Sequence, residues 1–395
     1  EFNLMSLPTL VTDGWTVIVD NNKDMILRRG KQVIKFDVVI KTPRSRIYCL
    51  RIQRNSKESA MMITNKPIKI AKLHSMFGHG HEARDRRIAK HLGITVARGT
   101  LCPCGACATA KAKRKALPSR GNGNNDGPTP KVHDDEKLPA ANMRIYVDLS
   151  KIQVPKHLIK IVKHSSKPFW RLAVDEKTEL PFCAFHAQKN QMAEPMCELL
   201  DKWRQFGKEV THIRCDNAGE NLQLQQRLNS HDWKYGTIEF EYTAKATPQQ
   251  NSVVEKKFDT LYCRGRAMMI AANVSLKMRY ILFREAFETA AKLDGLTIIV
   301  IGDKTATRYE HWGNEIPRFA KYLRVWGESG VVKIKTTSTP KLADRGVICM
   351  FVGYATNHAG DCYRMFNEDT LKVHLTRDVR WLNRLYYKID GTKNT

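Results

Sequence analysis

The sequence predicts a multidomain chain with an α/β core: a small β-meander, a His/Cys metal-binding module, a mixed sheet covered by helices, and a small β-barrel-like domain. Three observations predict it. The chain has 395 residues, more than one hydrophobic core usually organises. Its apolar periodicity runs strand-like, then helical, then strand-like again. A stretch poor in apolar residues, PSRGNGNNDGPTPKVHDDEKLPA at 118–140, reads as a flexible linker between the first two parts and the rest.

In residues 1–65, WTVIVD (15–20), MILRR (25–29), KQVIKFDVVI (31–40) and RIYCLRI (46–52) alternate apolar and polar positions, the pattern of short strands. Residues 66–117 are rich in His, Cys and basic residues. In the core, 141–305, strands are expected at 144–149, 169–175, 181–187, 210–216 and 237–243, and helices at 191–206, 249–272 and 276–293. Three strands, then helix, strand, helix, is the order of a mixed sheet with helical cover. From 306 to 395, VVKIK (331–335), GVICMFVGY (346–354), DCYRMF (361–366) and LKVHL (371–375) return to strand patterns, with a hairpin turn at 367–370.

The charge is strongly unbalanced: 66 basic against 40 acidic residues, a formal net charge of +26. Such an excess points to a polyanionic partner, most simply nucleic acid. A basic binding protein without chemistry fits the same number. Ten cysteines at uneven spacing suggest free or metal-bound thiols rather than a disulfide framework. No run of about 18 apolar residues occurs, so no membrane partner is expected. With Glu1 first and no charged-then-apolar leader, the chain is expected to be a fragment or a processed product.

His74 and His79 lie in HSMFGH, and Cys104 and Cys107 in CGAC, with twenty-four residues between the pairs. Zinc favours four N/S ligands delivered as two short-spaced pairs, and ARDRRIAKHLG (83–93) supplies a helix for the intervening loop. His81 and Cys102 are alternative ligands, and scattered histidines beside a reduced CxxC pair is the bland alternative. Lys111, Lys113, Arg114 and Lys115 follow, a basic cluster suited to phosphate or to an ordinary solvated linker.

Three acids stand at the ends or edges of expected elements. Asp148 is near the end of RIYVDL, Asp216 ends THIRCD, and Glu255 lies in the helix that begins near TPQQN. Carboxylates so placed could hold Mg²⁺ (or Mn²⁺), a hard cation that prefers oxygen, for in-line phosphoryl displacement. Among forty acids, spacing alone does not select these three.

The surrounding motifs do. HSMFGH, CGACATAKAKRK, YVDLS, RCDNAGEN, TPQQNSVVEK, KYLRVWG, GVICMFVGY and VHLTRDVRW occur in one order. Together they resemble the integrase region of copia-type LTR retrotransposon Gag-Pol polyproteins, from the N-terminal meander to about Trp381. The resemblance implies an HHCC zinc module on His74, His79, Cys104 and Cys107. It implies an RNase H-like catalytic core with metal ligands at Asp148, Asp216 and Glu255. It also implies joining of element DNA 3′ ends to target DNA, a homo-multimer, a precursor shared with reverse transcriptase, and residence in cytoplasmic virus-like particles and the nucleus. Thirty-eight residues separate Asp216 from Glu255, as suits the copia type. Ser252 stands where Gly is usual after PQQN.

Further nucleic-acid contacts are expected at Asn217, Gln250, Asn251, Lys256, Lys257 and Arg264. Asn217 equally fits a turn, Asn251 a helix cap, and the three bases a solvated helix face. Two rivals stand beside the integrase: a catalytically inactive or domesticated DNA-binding protein of the same fold, and an RNase H-type nuclease.

Overall fold

The computed structural model describes residues 16–19, 25–30, 32–35, 38–41, 46–49, 67–112, 143–159, 167–230, 233, 236–243, 251–333 and 344–394. Two units are distinguished, Glu1–Ala60 and Met61–Thr395. In the first, β1 (Thr16–Val19), β2 (Met25–Arg29) and β3 (Gln32–Lys35) form an antiparallel sheet in that order. Met25 and Leu27 are buried while Arg28 is exposed, the alternation of a strand with one covered face. A separate antiparallel pair joins β4 (Val38–Lys41) to β5 (Arg46–Cys49). The run KQVIKFDVVI, expected as one strand, is therefore two strands in two sheets.

The second unit begins with three short helices, α1 (Ile70–Met76), α2 (Glu82–His91) and α3 (Gly105–Ala110). Ile70, Leu73, Phe77, Ile88 and Ala89 bury their apolar face. The central sheet follows: β6 (Arg144–Lys151), β7 (Phe169–Asp175), β8 (Pro181–His186), β9 (His212–Asp216) and β10 (Glu239–Thr243). Its order is β10-β9-β6-β7-β8. β6, β9 and β10 run parallel, and β7 is antiparallel to β6 and β8 on either side. Three strands in meander followed by two parallel crossover strands on the other side of the first is a topology that fits an RNase H-like core.

The two faces of this sheet have different cores. Ile145, Val147, Ala173, Ile213 and Cys215 point to one, beneath α4 (Ala193–Gln205) and α5 (Gly219–Leu228). Tyr146, Trp170, Leu172 and Val174 point to the other, beneath α6 (Ser252–Ala271) and α7 (Leu276–Asp294). Trp170 is fully buried, its ring 4.8 Å from Phe258 and 4.7 Å from Phe287. Removing so large an aromatic from a core costs roughly 3–5 kcal/mol. Gly265 lets α6 and α7 close together, because a Cβ there would run into the Phe287 ring.

A hairpin of β11 (Ile298–Ile301) and β12 (Lys304–Thr307), which the sequence pattern had not indicated, leads into α8 (Arg308–Gly313). Thr307 and Glu310 close a capping box at its start. The C-terminal sheet is antiparallel, in the order β16 (Lys372–Thr376), β15 (Tyr363–Asn367), β14 (Gly346–Tyr354), β13 (Glu328–Lys333), β17 (Val379–Leu385). It packs on α7: Thr289 Oγ1 donates to the Val352 carbonyl at 2.8 Å, and Arg364 makes a paired contact with Glu285 at 2.6 and 2.7 Å. One continuous cluster of buried residues runs from α1 and α2 through α6 and α7 into this sheet. The expected linker, 118–140, lies outside the described residues.

Candidate metal sites

The His/Cys site is built by a helix ending. α1 stops at Met76, and Gly78 and His79 both take left-handed backbone angles, φ +70° and +60°. The His79 amide donates to the His74 carbonyl at 2.8 Å and the Gly78 amide to the Ser75 carbonyl at 3.3 Å. This is a Schellman closure, which reverses the chain and brings the residue after the glycine back over the last helical turn. The HxxxxH spacing follows from it, since the two histidines are the residues that the closure ties together. Gly at 78 meets the left-handed angle without cost; His79 adopts it at a cost of order 1 kcal/mol, as residues at functional sites often do.

From the other side, Cys104 sits at the start of α3 and Cys107 lies one turn on. His74 Nε2 is 3.2 Å from Cys107 Sγ, and His79 Nδ1 is 3.6 and 3.7 Å from Cys104 and Cys107 Sγ. The four ligand atoms all lie within 4.8 Å of one another, and both histidines are buried. Among the described residues this is the only such group of three or more metal-ligating side chains. The alternatives fall away from it. His81 caps α2, its Nδ1 accepting the Ala83 amide at 3.2 Å, and Cys102 is exposed.

Asp85 was not anticipated. It is fully buried on α2, with Oδ2 3.3 Å from His74 Nδ1. A carboxylate on the far ring nitrogen fixes the tautomer and aims Nε2 at a metal. Its only sequence signal was an acid on the face of α2 that otherwise packs inward. Burial opposes charge on both Cys107 and His74. Hydrogen bonds from His74 and His79, with the Lys111 ammonium, nevertheless pull the Cys107 thiol below its ordinary value, while Asp85 and the cysteines raise His74.

Register puts two of the expected carboxylates on one face of the sheet, although among the described residues the three acids do not form a ligand group as close as the His/Cys set. β6 and β9 are parallel neighbours with Tyr146 opposite Arg214. Ile145, Val147, Ile213 and Cys215 point to the α4/α5 face, so Tyr146, Asp148, Arg214 and Asp216 share the opposite one. The Arg214 guanidinium stacks on the Tyr146 ring at 5.6 Å. Two residues beyond the last paired positions, Asp216 ends β9, while Asp148 lies within β6, opposite Leu172 of β7 and before the strand ends at Lys151. Glu255, exposed in the first turn of α6, comes from the helix packed on that face.

Electrostatics register this grouping. Burial raises the Asp148 carboxyl to about 6; the nearby charges of Asp216, Glu255 and Glu220 push the same way, and a hydrogen bond from the Leu149 amide opposes them. Glu220 is a fourth acid that sequence reasoning passed over. Asn221 is another omission. It is buried at the start of α5, and its Nδ2 donates to Asp216 Oδ1 at 2.6 Å and to the Asp216 carbonyl at 3.0 Å.

The other expected contacts divide. Lys111, Asn217 and Lys256 are exposed; Lys111 Nζ donates to the His79 carbonyl at 2.9 Å. Asn251 precedes α6 but makes no side-chain cap, and its buried Oδ1 has no hydrogen-bond partner among the described residues. Lys113, Arg114, Lys115 and Gln250 lie outside the described residues. Lys257 and Arg264 correct the expectation of a solvated basic face. They are 6% and 3% exposed and are bound to Asp294 of α7 at 3.1 and 2.9 Å. Arg264 also donates to the carbonyls of Phe77 and Gly78, which fastens α6 to the His/Cys module. A long-range acid thus turns part of the expected outer face of α6 inward.

Comparison with known proteins agrees with the sequence motifs. A family model described as the retroviral polymerase SH3-like domain matches residues 330–394. The chain is 24% identical over 391 residues, 96% of its length, to the retrovirus-related Pol polyprotein from transposon TNT 1-94 of Nicotiana tabacum, and spans 26% of that protein. The resemblance to the integrase region of copia-type retrotransposon polyproteins thus extends over almost the whole chain. Solved structures with lower similarity include the HTLV-2 integrase catalytic core domain in complex with magnesium, 14% identical, covering 43% of this chain and 96% of that one at a TM-score of 0.28. The simian T-cell lymphotropic virus intasome in complex with PP2A regulatory subunit B56 gamma is 12% identical, covering 61% and 77% at 0.30. The BIV integrase catalytic core domain is 17% identical, covering 43% and 92% at 0.27. The strand order, rather than these overlaps, carries the fold.

Proposed function

We propose that this chain is a retrotransposon integrase, a metal-dependent polynucleotidyl transferase that joins the 3′ ends of element DNA to target DNA. One observation carries the reading: Asp148 within β6 and Asp216 at the end of its parallel neighbour β9 share a sheet face covered by the helix of Glu255, near enough that Asp216 and Glu255 add to burial in raising the Asp148 carboxyl. Like charges are costly to gather unless a cation belongs among them. An all-oxygen donor set suits Mg²⁺ or Mn²⁺. Such ions would activate the attacking oxygen and stabilise the leaving one.

The residues have separable tasks. Asp148, Asp216 and Glu255 would hold the metal, which would place the reacting phosphodiester. Asn221 fixes the orientation of Asp216. The 3′-hydroxyl oxygen attacks phosphorus, a new P–O bond forms, and the target strand's 3′ oxygen leaves. With water as nucleophile the same site trims a DNA end. His74, His79, Cys104 and Cys107 form an N₂S₂ set suited to structural zinc, which would lock α1 and α3 together. A net charge of +26 suits a DNA partner. We further propose the modular division 1–65, 66–117, 118–140, 141–305 and 306–395, with a homo-multimer holding two DNA ends. The source would be a precursor shared with reverse transcriptase, acting first in cytoplasmic particles and then in the nucleus. Among the described residues no helix is long and apolar enough to cross a membrane.

The test is a strand-transfer assay with recessed-end duplex, target plasmid and Mg²⁺ or Mn²⁺. Wild type should join, and Asp216→Asn should fall to background while still binding DNA. Equal background joining by both, with zinc and DNA bound, would overturn the reading. Cleavage of RNA–DNA hybrid without joining would replace it with a nuclease.

A further inference from the structure

A second cleft lies beside the His/Cys module, against α6. It encloses about 580 Å³, within the span of roughly 300–1,000 Å³ typical of ligand sites. Its α6 residues include Lys256, Lys257, Thr260, Cys263 and Arg264. At 100° per residue these five centre roughly 140° round the helix from Glu255, a little over a third of a turn. The cleft and the carboxylate group therefore use different faces of the same helix.

The cleft is rich in positive charge. Arg84, Lys111, Lys256, Lys257, Arg264 and Arg308 line it, against Glu179, Asp259 and Asp294: six bases to three acids, an excess of three. Asp294 serves three of those bases, with Lys257 at 3.1 Å, Arg264 at 2.9 Å and Arg308 at 3.7 Å. Asp85, behind the lining, is divided between Arg84 at 3.1 Å and His74 at 3.3 Å. The buried Arg308 Nε has no hydrogen-bond partner among the described residues. Burial and the charges of Arg84 and Arg308 push Arg264 down to about 9, although Asp294 and Asp85 hold it up. Part of this cluster serves packing: Arg84 donates to Thr297 Oγ1 and the Leu293 carbonyl, and Arg264 to the backbone of the His/Cys module. Packing does not account for the rim. Lys256 is exposed and has no ion pair among the described residues, and Lys111, which also lines the cleft, donates to the His79 carbonyl and stands near the Cys107 thiol. A buried basic floor with two exposed lysines at its rim suits phosphoryl oxygens.

We propose that this cleft is a second anion site that seats a backbone phosphate of DNA away from the reacting centre, with Lys111 and Lys256 as its direct contacts and the buried bases as its field. The site rests on its own charges; only the choice of DNA as the source of the phosphate rests on the integrase reading.

The experiment measures anisotropy of a labelled duplex against salt, without divalent metal, for the zinc-loaded full chain. Wild type is compared with Lys111→Gln/Lys256→Gln and with Asp216→Asn. If the two lysines together neutralise one phosphate, the double variant should lower the log–log salt slope by about 1 and weaken binding several-fold at low salt. Asp216→Asn should leave the slope unchanged. A second arm adds tripolyphosphate and reads thermal unfolding: it should protect wild type more than the double variant. An unchanged slope in the double variant overturns the proposal, whatever tripolyphosphate does, because a small free polyphosphate would then be the only ligand. Failure of strand transfer does not touch this readout, so the two proposals fail separately.

Discussion

Replacing Asp148 by Asn should make the magnesium-free protein more stable while removing its proposed activity. Asp148 is partly buried, and burial together with Asp216, Glu255 and Glu220 raises its carboxyl from 3.8 to about 6. An acid raised on folding opposes the folded state once it ionises, so stability is lost as pH climbs from about 4 through about 6. The shift of about 2 units at 1.36 kcal/mol each sets a ceiling of about 3 kcal/mol above pH ~7, and about half that at pH 5. Partial exposure and salt screening reduce it. Asn has the same shape and can still accept the Leu149 amide, which donates to Asp148 Oδ1 at 2.7 Å. Urea unfolding of zinc-loaded protein without magnesium, from pH 5 to pH 8, reads the difference. Asp148→Asn should exceed wild type by a margin that grows over that range, and magnesium should narrow the gap by stabilising wild type alone. A variant equal to or less stable than wild type at pH 8 would refute the argument that repelling carboxylates are gathered there.

Two further expectations concern the scaffold. Asp85→Asn should retain zinc but lower its affinity about 10- to 100-fold, measured by competition with a chelating indicator, because the ring of His74 loses its carboxylate support; unchanged affinity would deny Asp85 that role. Gly265→Ala should cost about 1–3 kcal/mol in denaturant unfolding, since its Cβ meets the Phe287 ring and the two helices must part; a stabilised variant would show that the α6–α7 contact yields freely.

The His/Cys group and the proposed carboxylate set were legible for different reasons. HSMFGH carries its geometry locally: Gly78 permits the left-handed turn that ties the two histidines together, so spacing alone was informative. Asp148 and Asp216 were legible through their motifs, while their sharing one sheet face depends on parallel pairing of strands far apart in the chain. The burial of Lys257 and Arg264 was not legible, because a charged residue on a helix normally faces water. Asp294, thirty residues beyond Arg264, reverses that preference, and no periodicity within α6 reveals it. Asp85 and Asn221 were missed for a related reason, as each is a polar residue buried to hold another polar residue. The hairpin of β11 and β12 is short and half exposed, which leaves little apolar alternation to detect.

The central claim is that Asp148, Asp216 and Glu255 together hold divalent metal. Anomalous diffraction from crystals of the zinc-loaded protein equilibrated with Mn²⁺ tests it most directly. The account predicts manganese bound among these three carboxylates, lost in Asp216→Asn, with zinc separately retained at His74, His79, Cys104 and Cys107. Zinc at the His/Cys site with no manganese signal at the carboxylates would contradict it.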